Sequence, residues 1–140
     1  MFAILFKLFK SVQIAVFRWT NGRGMSSMRG MPLLLLTTVG RKTGQPRTTP
    51  VMYVRDGDDY VITASNNGSD KHPAWFYNLQ ASPQAQIEVP GKRLQVSASV
   101  VSPAERDRLW SQLVAQAPFF DNYQKGTTRV IPMIRLRPHG

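Results

Sequence analysis

The chain predicts a mainly β fold of the α+β class. The expected form is a small antiparallel barrel or a highly curved sheet of about six strands, with an N-terminal helix and a late inserted helix. Three observations carry this expectation. Short segments that are either apolar throughout or strictly alternating recur along the chain, and Gly/Pro-rich turns separate them. Strict strand–helix–strand alternation is absent, which argues against a doubly wound parallel sheet. A length of 140 residues suits one sizeable core.

Residues 1–20, MFAILFKLFKSVQIAVFRWT, predict a helix. Phe2, Phe6, Phe9, Gln13, Val16 and Phe17 recur at helical spacing, and Lys7, Lys10, Ser11 and Arg18 form a narrower polar side. The charges interrupt it too often for a bilayer span. No basic leader and no small-residue cleavage site mark it as a secretory signal. A basic amphipathic helix with Phe and Trp suits a membrane interface; packing over the domain's own core is the other reading. Residues 21–32, NGRGMSSMRGMP, read as a linker, so the expected division is 1–30 for helix and linker and 31–140 for the barrel.

The apolar run 33–39 predicts a buried strand. Residues 49–56 turn at DGDD into 60–65, a hairpin signal. A polar loop at 66–72 precedes a short helix at 73–81, with Pro73 at its start. Strand 84–89 turns at PGK into 93–101, where Leu94, Val96, Ala98 and Val100 alternate with Arg93, Gln95, Ser97 and Ser99. Ser102, Pro103 and Glu105 make a capping box for a helix at 102–117. Residues 118–126 form an aromatic loop or short helix. The last strand is expected at 129–138, with Pro132 restricting it to an edge or a bulge.

Composition excludes several chemistries. There is no cysteine, hence no disulfide, thiolate metal site or cysteine nucleophile. This fits a reducing, cytoplasmic setting. Two histidines are too few for a histidine-rich metal site, and no metal is expected. The net charge is +10, and its distribution is uneven: residues 1–55 hold nine of the 18 cations and no acid. Such an excess attracts polyanions, whether nucleic acid, anionic lipid or a phosphorylated cofactor. A nucleic-acid surface would interleave aromatics with cations on a strand face; these strand faces alternate aliphatic and polar residues instead, so no nucleic acid is expected.

The segment GRKTGQPRTTP (40–50) concentrates that charge on a glycine turn between two apolar strands. A solvated hairpin is one reading. An anion site is the other: Gly40 and Gly44 let backbone N–H groups approach a ligand, Arg41 offers a two-pronged donor, and Lys42 offers a point charge. Thr43 and Gln45 add neutral donors. The P-loop pattern does not occur.

The ordered set GRKTGQPR (40–47), ASNNGSDKHPAWFYNL (64–79), DNYQKGTTR (121–129) and IPMIRL (131–136) resembles the deazaflavin-dependent nitroreductase family of actinobacteria, split β-barrel oxidoreductases that use coenzyme F420. The resemblance runs from about Met31 to Pro138. It implies that Arg41, Lys42, Thr43, Gly44, Gln45 and Arg47 hold the phosphate and glutamate tail of the coenzyme, with Pro50 near its ring. It places Thr63, Ala64, Ser65 and Asn66 against the deazaflavin, with Lys71, Ala74, Trp75 and Asn78 around it. Hydride passes from reduced coenzyme to an apolar acceptor such as a quinone, an enone or a nitro compound. Ser65 and Tyr123 are the candidates for substrate orientation or proton delivery, and Phe119 and Phe120 for the acceptor wall. A flavin-, haem- or lipid-binding split barrel without this activity is the alternative. Asn66 stands where many relatives have lysine. Ala117, Phe120 and Tyr123 stand where many have three tyrosines. The oligomeric state is left open, and residues 1–20 are expected to meet anionic membrane on its cytoplasmic side.

Overall fold

The computed structural model describes residues 2–22, 24 and 26–139, with side chains from Leu8 onward. The elements in order are α1 (Phe2–Trp19), β1 (Ser27–Met28), β2 (Met31–Val39), β3 (Pro46–Asp56), β4 (Asp59–Thr63), a 3-10 turn (Asn66–Gly68), α2 (Ala74–Ala81), β5 (Gln84–Val89), β6 (Lys92–Val100), α3 (Pro103–Gln116), α4 (Phe119–Lys125) and β7 (Met133–Pro138). Six strands run in the order β2-β3-β4-β7-β6-β5, every neighbour antiparallel. A further ladder joins β2 to β5, pairing Leu35 with Glu88 and Leu36 with Ile87, and closes the barrel. Short β1 adds to β2 outside it.

Side-chain alternation sorts the apolar residues into two cores. Leu34, Leu36, Ile62, Ile87, Val96 and Leu136 come from all around the barrel and meet Trp75, Phe76 and Leu79 of α2. The opposite faces supply Met31, Val54, Val61 and Met133, which pack under Leu109 and Leu113 of α3 and Phe120 of α4. Each fully buried Leu of this kind contributes about 1.5–3 kcal/mol of transfer free energy. The run 33–39 is apolar on both faces because both are covered, as Leu33 to Leu36 all lie at 3% exposure or less.

The structure changes three details. β3 starts at Pro46, not 49, because Arg47 and Thr48 continue the ladder opposite Thr38 and Thr37. The hydroxyls of Thr37 and Thr48 add a 2.8 Å hydrogen bond across it. β7 lies between β4 and β6 rather than at an edge, and Pro132 precedes its first residue. The Pro132 carbonyl still accepts from the Ala64 N–H at 2.9 Å, so the missing N–H costs no ladder bond. Only half of the capping box forms. Ser102 Oγ accepts from the Glu105 N–H, while the Glu105 carboxylate turns to Arg135 at 3.3 Å.

α1 lies on the barrel by one face and leaves the other apolar. Gln13 and Phe17 are buried, and Arg18 donates twice to the Glu88 carboxylate on β5, at 3.1 and 2.9 Å. Leu8, Val12 and Trp19 are 57%, 58% and 86% exposed. Phe2, Phe6 and Lys7, counted in the helix pattern above, lie outside the described side chains.

Candidate functional site

A cleft of about 680 Å³ opens between α1, β3, the 63–75 segment and α4. That volume is within the usual range for small-molecule sites. Its walls include Leu33, Pro50, Val51 and Met52 of the barrel, Thr63, Ser65, Asn66, Ala74 and Trp75 of the expected ring site, and Phe119, Phe120 and Tyr123 of α4. Nine of the sequence-derived candidates thus share one cavity: Pro50, Thr63, Ser65, Asn66, Ala74, Trp75, Phe119, Phe120 and Tyr123.

The glycine turn, residues 40–45, runs directly into β3, the strand that carries Thr49 to Met52 in the cleft wall. Two backbone bonds close it, Gly40 N–H to Gln45 O at 2.8 Å and Gly44 N–H to Gly40 O at 2.7 Å. Gly44 adopts a φ of +71°, a region that favours glycine. The side chains of Arg41, Lys42, Thr43, Gln45 and Arg47 are exposed. Arg47 leans on the Thr43 hydroxyl at 3.4 Å. Among the described residues, none of Arg41, Lys42, Arg47 and Lys71 forms a salt bridge, so their charge is available to an anion. Apolar side chains, Leu33, Pro50, Val51, Trp75 and Phe119 among them, line much of the cleft. The residues present therefore fit an anionic deazaflavin.

Two of the expected contacts act indirectly. Asn78 is buried, with its amide donating to the Thr38 hydroxyl and its carbonyl accepting from the Arg41 backbone and guanidinium at 3.1 and 3.3 Å. It fastens α2 to the turn and holds Arg41, whose guanidinium also lies 5.0 Å from the Tyr77 ring centre. Ala64 is fully buried, and both its backbone groups are engaged, its N–H by Pro132 and its carbonyl by Arg129. The N–H groups of Ser65 and Asn66 have no acceptor among the described residues. Asn66 and Asn67 hold φ of +47° and +56°. The Asn66 side chain donates to the Lys71 carbonyl at 3.0 Å, tying the loop to itself.

Arg129, which pattern reading did not single out, holds this loop in place. Its guanidinium donates to the carbonyls of Ser69, Ala64 and Ser65 at 2.8, 3.1 and 2.8 Å, and meets His72 Nδ1 at 3.0 Å. A guanidinium only donates, so Nδ1 is the acceptor and the imidazole proton sits on Nε2. Burial, and then the Arg129 charge, hold the His72 pKa below the ordinary imidazole value. His72 also lies against Phe76, ring centres 4.4 Å apart. Gly68 completes the loop: its φ is +78°, and a Cβ there would meet the Tyr123 backbone at 3.2 Å.

Tyr123 is held from the other side. Its hydroxyl accepts from Arg29 at 2.9 Å, which leaves the phenolic proton free to donate. Arg29 also covers the Phe119 ring at 3.7 Å. Nothing in the linear pattern pairs Arg29 with residues ninety positions later; the barrel does.

Comparison with known proteins agrees with this geometry. The family model described as F420H(2)-dependent quinone reductase matches residues 9–138. An F420H(2)-dependent quinone reductase of Mycobacterium tuberculosis is 46% identical over 127 residues, 87% of this chain and 85% of that one. A solved F420-H2 dependent reductase superposes with a TM-score of 0.70 at 34% identity, covering 76% of this chain and 94% of its own. A structure described as a domain-swapped dimer gives 0.72 at 30% identity, covering 90% and 96%. The chain belongs to the F420H(2)-dependent quinone reductase family and is, with it, an oxidoreductase that uses coenzyme F420.

Proposed function

We propose that this chain reduces a quinone in the cleft between α1 and α4, with the coenzyme ring along Pro50 and Ser65 and its anionic tail on the glycine turn. The single observation behind this assignment is the junction of the two: one strand, β3, carries Arg47 at the cationic rim and Pro50 to Met52 in the apolar wall. Reduced coenzyme, when bound, supplies the hydride from C5. The protein's part is to bind, orient and exclude water. Arg41, Lys42, Arg47 and Lys71 hold phosphate and carboxylates, with Thr43, Gly44 and Gln45 shaping the turn. The N–H groups of Ser65 and Asn66 hold ring carbonyls. Thr63, Ala74 and Trp75 wall the ring, and Phe119 and Phe120 wall the acceptor. The Ser65 hydroxyl or the free Tyr123 proton serves the reduced oxygen. Fluorescence titration tests the assignment: tight deazaflavin binding with weak FMN binding supports it. Micromolar FMN binding with no deazaflavin binding overturns it.

In this reading the barrel of 31–140 holds the coenzyme and part of the acceptor wall, and the helix and linker of 1–30 complete the acceptor side. The exposed row of Leu8, Val12 and Trp19 suits the interface of an anionic membrane on its inner face, where a lipophilic quinone is found. No described helix is long and apolar enough to cross a membrane.

A further inference from the structure

α1 contributes two polar side chains to the lining of the cleft. Lys10 and Gln13 stand one turn apart on its inner face, and Phe9, Met28, Leu33 and Phe119 are among the apolar residues of the same lining. Gln13 is only 4% exposed and has no hydrogen-bond partner among the described residues. No described buried polar atom is both sealed from solvent and unpaired, so the accessible part of Gln13 includes its amide, facing the cleft. Lys10 is half-buried there without a salt-bridge partner among the described residues. Burial, and then the nearby Arg47 charge, lower its pKa.

An amide that opens on the cleft and bonds no described protein group is left to water or to a ligand. A helix that served only as a cover would place an aliphatic side chain at position 13. We propose that Gln13 and Lys10 are the acceptor-recognition pair, donating from Nε2 and Nζ to a carbonyl oxygen of the quinone. The pair selects a planar acceptor that carries a hydrogen-bond-accepting oxygen over an apolar molecule of the same shape. This rests on the quinone reading above.

The test uses the full chain without coenzyme and a water-soluble 1,4-naphthoquinone. Quinone binding is read from quenching of tryptophan emission, since Trp75 lines the cleft. Gln13→Leu and Lys10→Met should each weaken quinone binding about tenfold, the scale of one net hydrogen bond. KM for the quinone should rise in step, while deazaflavin affinity stays within about twofold. Gln13→Met keeps the length and removes the donor, so it should bind quinone as weakly as Gln13→Leu even where the leucine variant folds poorly. Unchanged quinone affinity in Gln13→Met and Lys10→Met overturns the proposal, and so does an equal loss of deazaflavin affinity, which would assign the pair to the coenzyme. Wild-type protein that binds deazaflavin but no quinone would instead overturn the acceptor reading itself.

Discussion

Arg129 shows how one side chain can set a whole loop. Three carbonyls and an imidazole nitrogen converge on its guanidinium, and the loop they belong to includes two asparagines at positive φ. Without the guanidinium, those carbonyls lose their partner and the loop loses its shape. Arg129→Ala should therefore weaken deazaflavin binding by more than tenfold in titration, with Arg129→Lys restoring little because an ammonium cannot span the fork. At the rim, Arg41→Ala and Lys42→Ala should each weaken coenzyme binding by about 1.5–3 kcal/mol, the range for hydrogen bonds to charged groups. Their melting temperatures should stay near that of wild type, because exposed cations add little stability. An early melt in Arg41→Ala with unchanged affinity would instead assign that residue to its Asn78 contact.

At the scale of the element, α1 packs on the barrel, one of the two readings its sequence raises, and the proposed membrane role falls to its outer face. Its inner face packs through Phe17 and the Arg18–Glu88 pair, and its outer face stays apolar. Deleting the helix would strip cover from the barrel, so deletion cannot isolate a membrane role. Replacing Leu8, Val12 and Trp19 with serine leaves the inner face intact. That variant should lose co-sedimentation with anionic liposomes while keeping its deazaflavin affinity and most of its melting temperature. Intact liposome binding by the triple variant would leave the membrane role without support. Helix existence and strand order of appearance were legible here because period 3.6 and period 2 are local signals. β7's central position was not, since only closure of the barrel decides which strands become neighbours. The cationic rim was legible for the same local reason, whereas Gln13, Arg29 and Arg129 gain meaning from contacts with elements far away in the chain.

Across the whole molecule, an ion network stabilises the fold in a particular pH window. Arg135 pairs with Asp56 and Asp59 at 2.9 and 2.8 Å, with Arg108 and Arg137 adding further bonds. Hydrogen bonds from Arg108 and then Arg135 hold the Asp56 pKa down to about 2. At Asp59 burial pushes upward, but Arg135 and Arg137 outweigh it and the pKa is lowered. A carboxylate depressed in the folded state binds more protons once unfolded, so its contribution is present above the unfolded value of about 3.9 and disappears as pH falls toward 2. Melting temperature should drop steeply across that window, and Asp56→Asn should flatten the drop. An unchanged acid limb in that variant would remove Asp56 from the account.

The position of β7 also has a consequence for biosynthesis. β7 follows β4 and β6 in the chain, yet it is the strand that must slot between them. Until it does, both neighbours present bare backbone edges, and the nascent barrel is a sticky intermediate. Chains that stop short of Met133 should accumulate as aggregates rather than as a smaller soluble domain, readable by sedimentation of a series truncated from the C-terminus. Few substitutions elsewhere would carry the same penalty, because Met133–Pro138 act as the keystone that ends the barrel's exposure to its own copies.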